Sequence, residues 1–253
     1  MSRKIKQKWV DGEIFKMWLP DAPPVSPSEY DDEFLDESFN ISKWSEFDHG
    51  NKLSVSEEKY GLKFDITPHV STTDDSIAGI LQSIPSGDFS ITTKCNLSAI
   101  RNATAGINSG LMAGILLAEN TSNSGKIYFL TLMYPGSQDI NYINLYYYTS
   151  YSTYGGVYGR QVGNFEITAG YLRVRRTGTT YYFDYSLNGR AFINIYSSSS
   201  LAFTPGYFGL GSMYTSSSSV TAHHTIIYDF FRYKNSDVGL SAPVEGNIVK
   251  LNL

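Results

Sequence analysis

Cysteine is almost missing from this chain: Cys95 is the only one in 253 residues. One thiol cannot close an intramolecular disulfide, so a disulfide-stapled fold is excluded. Its place in an alternating run predicts an inert, buried strand position. Charge is sparse as well, at 17% of residues with a net of −4. That excludes the broad basic face of a nucleic-acid binder. Long apolar runs are absent: nothing approaches the roughly 20 residues of a membrane span. The basic N-terminus is not followed by the apolar core of a signal peptide, so neither a membrane nor a secretory route is expected. The glycosylation sequons at Asn40, Asn96, Asn102 and Asn120 then read as chance matches. No internal repeat of about 20 to 50 residues is present.

Aromatic residues are abundant, at 15%, with 20 Tyr and 14 Phe. These residues suit pleated, half-buried surfaces and point toward sheet. Leu62, Phe64 and Ile66 alternate along 61–66, as do Phe89, Ile91, Thr93, Cys95 and Leu97 along 89–97. Residues 111–118 and 126–134 are apolar on both faces, as central strands are. Further strands are predicted at 142–148, 172–175, 180–186, 192–196, 207–213 and 220–233, with a tight turn at Asn188-Gly189. The last of these sets Ile226, Tyr228 and Phe230 opposite Ile227, Asp229 and Phe231. The Ser runs at 197–200 and 216–219 mark loops, and 149–159 reads as a loop at a sheet edge. About a dozen short strands without a convincing helix make a sandwich or barrel.

Residues 1–30 differ. Lys4, Lys6 and Lys8 make a basic start, Trp9 and Trp18 add apolar bulk, and prolines follow between 20 and 27. This segment is expected to be an extended arm that docks on a partner or a neighbouring subunit, because two indoles are costly to leave in water. Residues 31–237 form the sandwich. The tail, 238–253, has one candidate strand at 247–251.

Three stretches together resemble the concanavalin A-like lectin/glucanase superfamily. The first is Asp32-Glu33-Phe34, then Trp44, then Gly61-Leu62. The second runs from Tyr171-Leu172-Arg173-Val174-Arg175-Arg176 to the turn Ser186-Leu187-Asn188-Gly189. The third is Gly209-Leu210 followed by Tyr228-Asp229-Phe230-Phe231-Arg232-Tyr233. The resemblance covers about residues 31–235. It implies an all-β, two-sheet antiparallel jelly-roll sandwich and leaves activity open, because this fold hosts many functions.

Glucanases of that superfamily carry Glu-x-Asp-x-Glu on a central strand, where alternation turns the carboxylates into a cleft. Glu29-Tyr30-Asp31-Asp32-Glu33 matches the letters. It precedes the first core strand, however, and reads as a solvated acidic linker. The central strands hold no acidic pair. His223-His224 point to opposite faces of a strand and cannot share a metal; His49 and His69 are isolated. Asp74-Asp75 and Glu57-Glu58 are weak calcium candidates, better read as solvated surface. No catalytic residue, metal or cofactor is therefore expected. Arg173 and Arg175 are read as solvent-exposed.

The tyrosines of 142–160, set among Ser, Thr, Gly and Asn, resemble a paratope: rigid amphipathic rings among small adaptable polar groups. Tyr148, Tyr151, Tyr154, Tyr158 and Arg160 are the expected ligand-binding residues, with a glycan as ligand. A strand edge or a subunit interface is the alternative reading. The arm resembles phage attachment segments. The combined expectation is a non-enzymatic bacteriophage virion protein (fibre, spike or decoration), homo-oligomeric, bound to other virion proteins through its arm and exposed to cell-surface glycans. Two alternatives stand beside it: a stand-alone carbohydrate-binding module or lectin, and a diverged glycoside hydrolase.

Overall fold

A computed structural model describes residues 5–10, 13–18, 28–51, 53–66, 77–97, 110–134, 142–162, 169–215 and 224–235. Among these, two antiparallel seven-stranded sheets pack face to face. The first sheet runs β11(Thr153–Val162), β10(Tyr142–Ser150), β9(Ile127–Tyr134), β8(Gly110–Ala118), β15(Tyr207–Thr215), β6(Ile77–Ser83), β3(Ser45–Phe47). The second runs β14(Ile193–Ser198), β13(Thr180–Ser186), β12(Ala169–Thr177), β7(Phe89–Asn96), β16(His224–Asn235), β5(Gly61–Ile66), β4(Leu53–Glu58). The all-β, two-sheet expectation therefore holds.

The second sheet alternates as its sequence does. Leu62, Phe64, Ile91, Cys95, Leu172, Val174 and Phe183 face the first sheet in the main core, and polar residues face outward. The first sheet is apolar on both faces for a different reason. Leu111, Ala113, Ile115, Leu130 and Leu145 enter the main core, while Met112, Leu116, Phe129, Tyr148 and Met213 build a second cluster on the outer face. That is why 111–118 and 126–134 lack alternation.

Tyr228 joins the two sheets. It is fully buried on β16, and its hydroxyl accepts from the Gly114 N–H at 2.8 Å and donates to the Gly211 carbonyl. Gly114 and Gly211 face each other across β8 and β15. A methyl group on Gly114 would lie 1.8 Å from the Leu130 carbonyl oxygen of β9, so only glycine lets β8 and β9 approach this closely.

Several local expectations need correction. Residues 153–162 form edge strand β11 rather than part of a loop. Strands β3, β4 and β6 went unpredicted; β6 is buried on both faces and so lacks alternation. A bulge between Tyr228 and Phe230 shifts the register of β16. After it Phe231 and Tyr233, not Phe230, enter the core. In the arm, β1(Ile5–Val10) pairs antiparallel with β2(Glu13–Trp18) as a two-stranded ribbon. Lys6, Lys8, Trp9 and Trp18 lie on it; Lys4 and the prolines of 20–27 lie outside the described residues, as does the tail with its candidate strand.

Candidate functional site

The tyrosine-rich segment becomes the β10–β11 hairpin at one edge of the first sheet. Its register shifts three times, and each shift turns the following side chains to the other face. The tyrosines are therefore divided. Tyr154 lies edge-on to Tyr146 and Tyr148, at 6.1 and 5.8 Å between ring centroids. Tyr158 lies edge-on to Tyr128, Tyr147 and Tyr196, at 5.6, 5.9 and 5.5 Å. Tyr196 belongs to β14, so the edges of both sheets meet here. Gly159 approaches the Ile195 carbonyl so closely that a methyl group would sit 2.9 Å from it.

Of the five expected residues, Tyr154 and Tyr158 present surface, at 57% and 42% exposure, with Val157 exposed between them. Tyr151 is half-buried, its ring edge-on to His49 at 5.2 Å. Tyr148 belongs to the second cluster: it is buried and its hydroxyl donates to the Met213 sulfur at 3.0 Å. Arg160 pairs with Asn144 in the ladder; its side chain lies outside the described residues. Sequence reading missed Tyr128, Tyr196 and Phe203, which sit on other strands and loops. Tyr128 stacks on Phe203 at 5.2 Å and accepts from the Ala202 N–H at 3.1 Å. Burial pushes the Tyr128 phenol up to about 12.

The acidic segment is a clasp rather than a solvated linker. Asp32 pairs through its backbone with Phe231, at 2.7 and 2.6 Å. Its carboxylate accepts from the Trp44 indole at 3.0 Å. Asp31 accepts from the Tyr233 N–H, and Glu33 takes Arg232 in a two-bonded fork at 2.6 and 2.8 Å. The three acids thus bind successive residues of β16 to the segment before β3.

Glu57 lies beneath this clasp and accepts from the Asp36 N–H at 2.9 Å. Burial, then the neighbouring Asp36 and Asp32, push its carboxyl from 4.5 up to about 7. A pKa raised on folding means that the native state holds the proton. Its stabilising contribution is full below about pH 4.5 and is lost as pH rises through 7. Glu57→Gln keeps the acceptor and removes the charge. It is expected to unfold about 1–2 kcal/mol harder than the parent at pH 8, and equally at pH 4.5. Thermal unfolding across that range checks this, and a constant difference would contradict it.

Asp184 forms the other buried acidic centre, on the outer face of the second sheet, at 1% exposure. It accepts from Arg173 Nε at 3.0 Å, Arg175 Nε at 2.7 Å and Asn194 Nδ2 at 2.8 Å. Arg173 also lies over the Phe192 ring at 4.0 Å, and Arg175 over Tyr182 at 4.6 Å. The two arginines are mostly buried and paired, not solvent-exposed as expected.

Among the described residues no three His, Cys, Asp or Glu side chains group to hold a metal. His69, His223, Asp74 and Asp75 lie outside the described residues. Cys95 is fully buried, and burial pushes its thiol up to about 12.

No family model and no curated protein matches this chain. Solved structures match its fold. The GH43 protein BlXynB of Bacillus licheniformis aligns at 17% identity over 91% of this chain and 46% of its own, with a TM-score of 0.56. A xylan β-1,4-xylosidase from Bacillus halodurans aligns at 16% over 91% and 46%, with a TM-score of 0.51. A β-glucanase of Bacillus licheniformis aligns at 11% over 81% of this chain and 97% of its own, with a TM-score of 0.53. The chain thus spans about half the length of the GH43 proteins and nearly all of the glucanase. At these identities the likeness establishes the fold, a sandwich of the concanavalin A-like kind. It also corrects the expectation of a non-enzymatic virion protein. The three structures named are a GH43 protein, a xylosidase and a β-glucanase, and none of them belongs to a virion.

Proposed function

We propose that this chain is the saccharide-engaging sandwich of a diverged glycoside hydrolase. A polysaccharide would be held along the β10, β11 and β14 edge. The observation that carries this reading is the exposed edge strand β11, which presents Tyr154 on one face and Tyr158 on the other and has no charged residue from 153 to 159. Sugar rings offer C–H faces to aromatic rings, and their hydroxyls find partners among the Ser, Thr and Gly backbone around them. The xylosidase and glucanase folds support a β-linked glycan as the ligand class.

Affinity electrophoresis in gels containing xylan or mixed-linkage β-glucan tests this reading. The parent is expected to be retarded. Tyr154→Ala with Tyr158→Ala should weaken retention at least ten-fold, since ring stacking is worth on the order of 1 kcal/mol per ring. Both positions are exposed, so folding should survive. Equal migration of parent and variant on every glycan would overturn it.

A second reading, in which this chain itself carries the catalytic acid, is favoured by Glu57. A carboxyl raised to about 7 beside Asp36 suits a proton donor to a leaving oxygen. Loss of reducing-end release in Glu57→Gln, with glycan retention kept, is the result this reading expects.

A further inference from the structure

The two exposed tyrosines of β11 do not share a face. Tyr154 meets Tyr146, which packs against the outer cluster, and Tyr158 meets Tyr147, which packs against the main core. Gly155 and Gly156 follow Tyr154 without side chains. A methyl group on Gly156 would meet nothing within 4 Å, so the strand is open there. A ligand that touches both tyrosines must cross the edge at this point.

The rings are also crossed. Tyr154 meets Tyr146 and Tyr148 at 64° and 73° between ring planes. Tyr158 meets Tyr147 and Tyr196 at 80° and 61°. Among the described residues neither exposed ring has a coplanar tyrosine beside it, which excludes a flat platform. A glycan chain of two-fold form, as in cellulose, sets its ring faces in one plane and needs coplanar partners. A three-fold chain, as in xylan, turns each sugar by a third of a turn, so neighbouring ring planes cross at two-thirds of a right angle. The Tyr158–Tyr196 pair is close to that angle, and its centroid spacing of 5.5 Å is close to the repeat of one β-1,4-linked sugar. Tyr158 is exposed and Tyr196 half-buried, so both rings keep open surface.

We propose that this edge selects a neutral β-1,4-linked chain of three-fold twist over a flat one. Successive sugars rest on Tyr196 and Tyr158, and the chain crosses β11 at Gly156 toward Tyr154. The absence of charge from 153 to 159 suits a neutral ligand. The proposal rests on the saccharide reading above and deepens it. It names the shape of the glycan and makes Tyr196, which belongs to the other sheet, a specificity-determining residue.

Two binding measurements on the full chain test it. Calorimetric titration with xylohexaose should show binding, and Tyr196→Ala should weaken it at least five-fold. Tyr196→Phe keeps the ring and should stay within two-fold of the parent. Microcrystalline cellulose, whose chains are locked in the two-fold form, should not deplete the protein from solution, whereas insoluble xylan should. If Tyr196→Ala folds poorly, oxidative footprinting of the parent replaces it, with Tyr196 protected by xylohexaose together with Tyr158. Depletion by cellulose that is lost in Tyr158→Ala overturns the selection for twist. Unchanged xylohexaose affinity in Tyr196→Ala, or unchanged oxidation of Tyr196, overturns its role. Gel retention on mixed-linkage β-glucan without any xylohexaose binding removes this proposal and leaves the edge reading standing. No binding to any glycan removes both.

Discussion

Asp184→Ala should destabilise the protein by about 3–5 kcal/mol, because it strands two buried guanidiniums that share one carboxylate. In a chain of this size that lowers Tm by roughly 10 °C or more. The reason lies in the geometry. Arg173 and Arg175 leave β12 on the outer face of the second sheet, two residues apart, and both fold onto Asp184 of β13. Asn194 of β14 completes the set. The node ties three strands together through side chains, at the edge where, among the described residues, β14 pairs with β13 alone. Asp184→Asn is nearly isosteric yet should cost almost as much, since an amide cannot neutralise either arginine. The node is buried, so 0.5 M salt should leave both differences unchanged. A loss below about 1 kcal/mol for Asp184→Ala would show that the arginines find compensation elsewhere.

Tyr228→Phe should cost about 2–4 kcal/mol while leaving the fold intact. The change removes one oxygen, but that oxygen serves both Gly114 N–H and Gly211 carbonyl in the middle of the first sheet. The side chain is fully buried between the sheets. Burial drives the phenol well above its usual 10, so alkaline titration should leave Tyr228 un-ionised until the protein unfolds. The expected signature is a lower Tm with an unchanged far-UV spectrum. An unchanged Tm would mean that β8 and β15 close directly over the gap.

Alternation marked the strands of the second sheet apart from β4, while β8 and β9 of the first sheet were read from unbroken apolar runs. Leu62, Phe64 and Ile66 alternate because the second sheet meets solvent outside. The first sheet lacks that cue, since its outer face is a second apolar cluster, and β6 was missed for that reason. The hairpin in the arm carried a signal that went unused: Asp11-Gly12 sits between Val10 and Glu13, a pair favoured in tight type I′ turns. The bulge in β16 has no signature in composition, yet it decides that Phe231 rather than Phe230 is core. The candidate site was half legible. Tyr154 and Tyr158 stand out by density of tyrosine. Tyr128 and Tyr196 become partners only through strand order, which no local pattern states. The acidic clasp was misread because its partners, Phe231 to Tyr233, lie about two hundred residues away in the chain.

Hydroxyl-radical footprinting with xylohexaose tests the central claim most directly, because it reports where a glycan sits on the intact chain. Protection of Tyr154 and Tyr158, with Tyr60 unchanged as an exposed tyrosine elsewhere, is the predicted result. Unchanged oxidation of Tyr154 and Tyr158 at saturating glycan would contradict a saccharide-engaging edge.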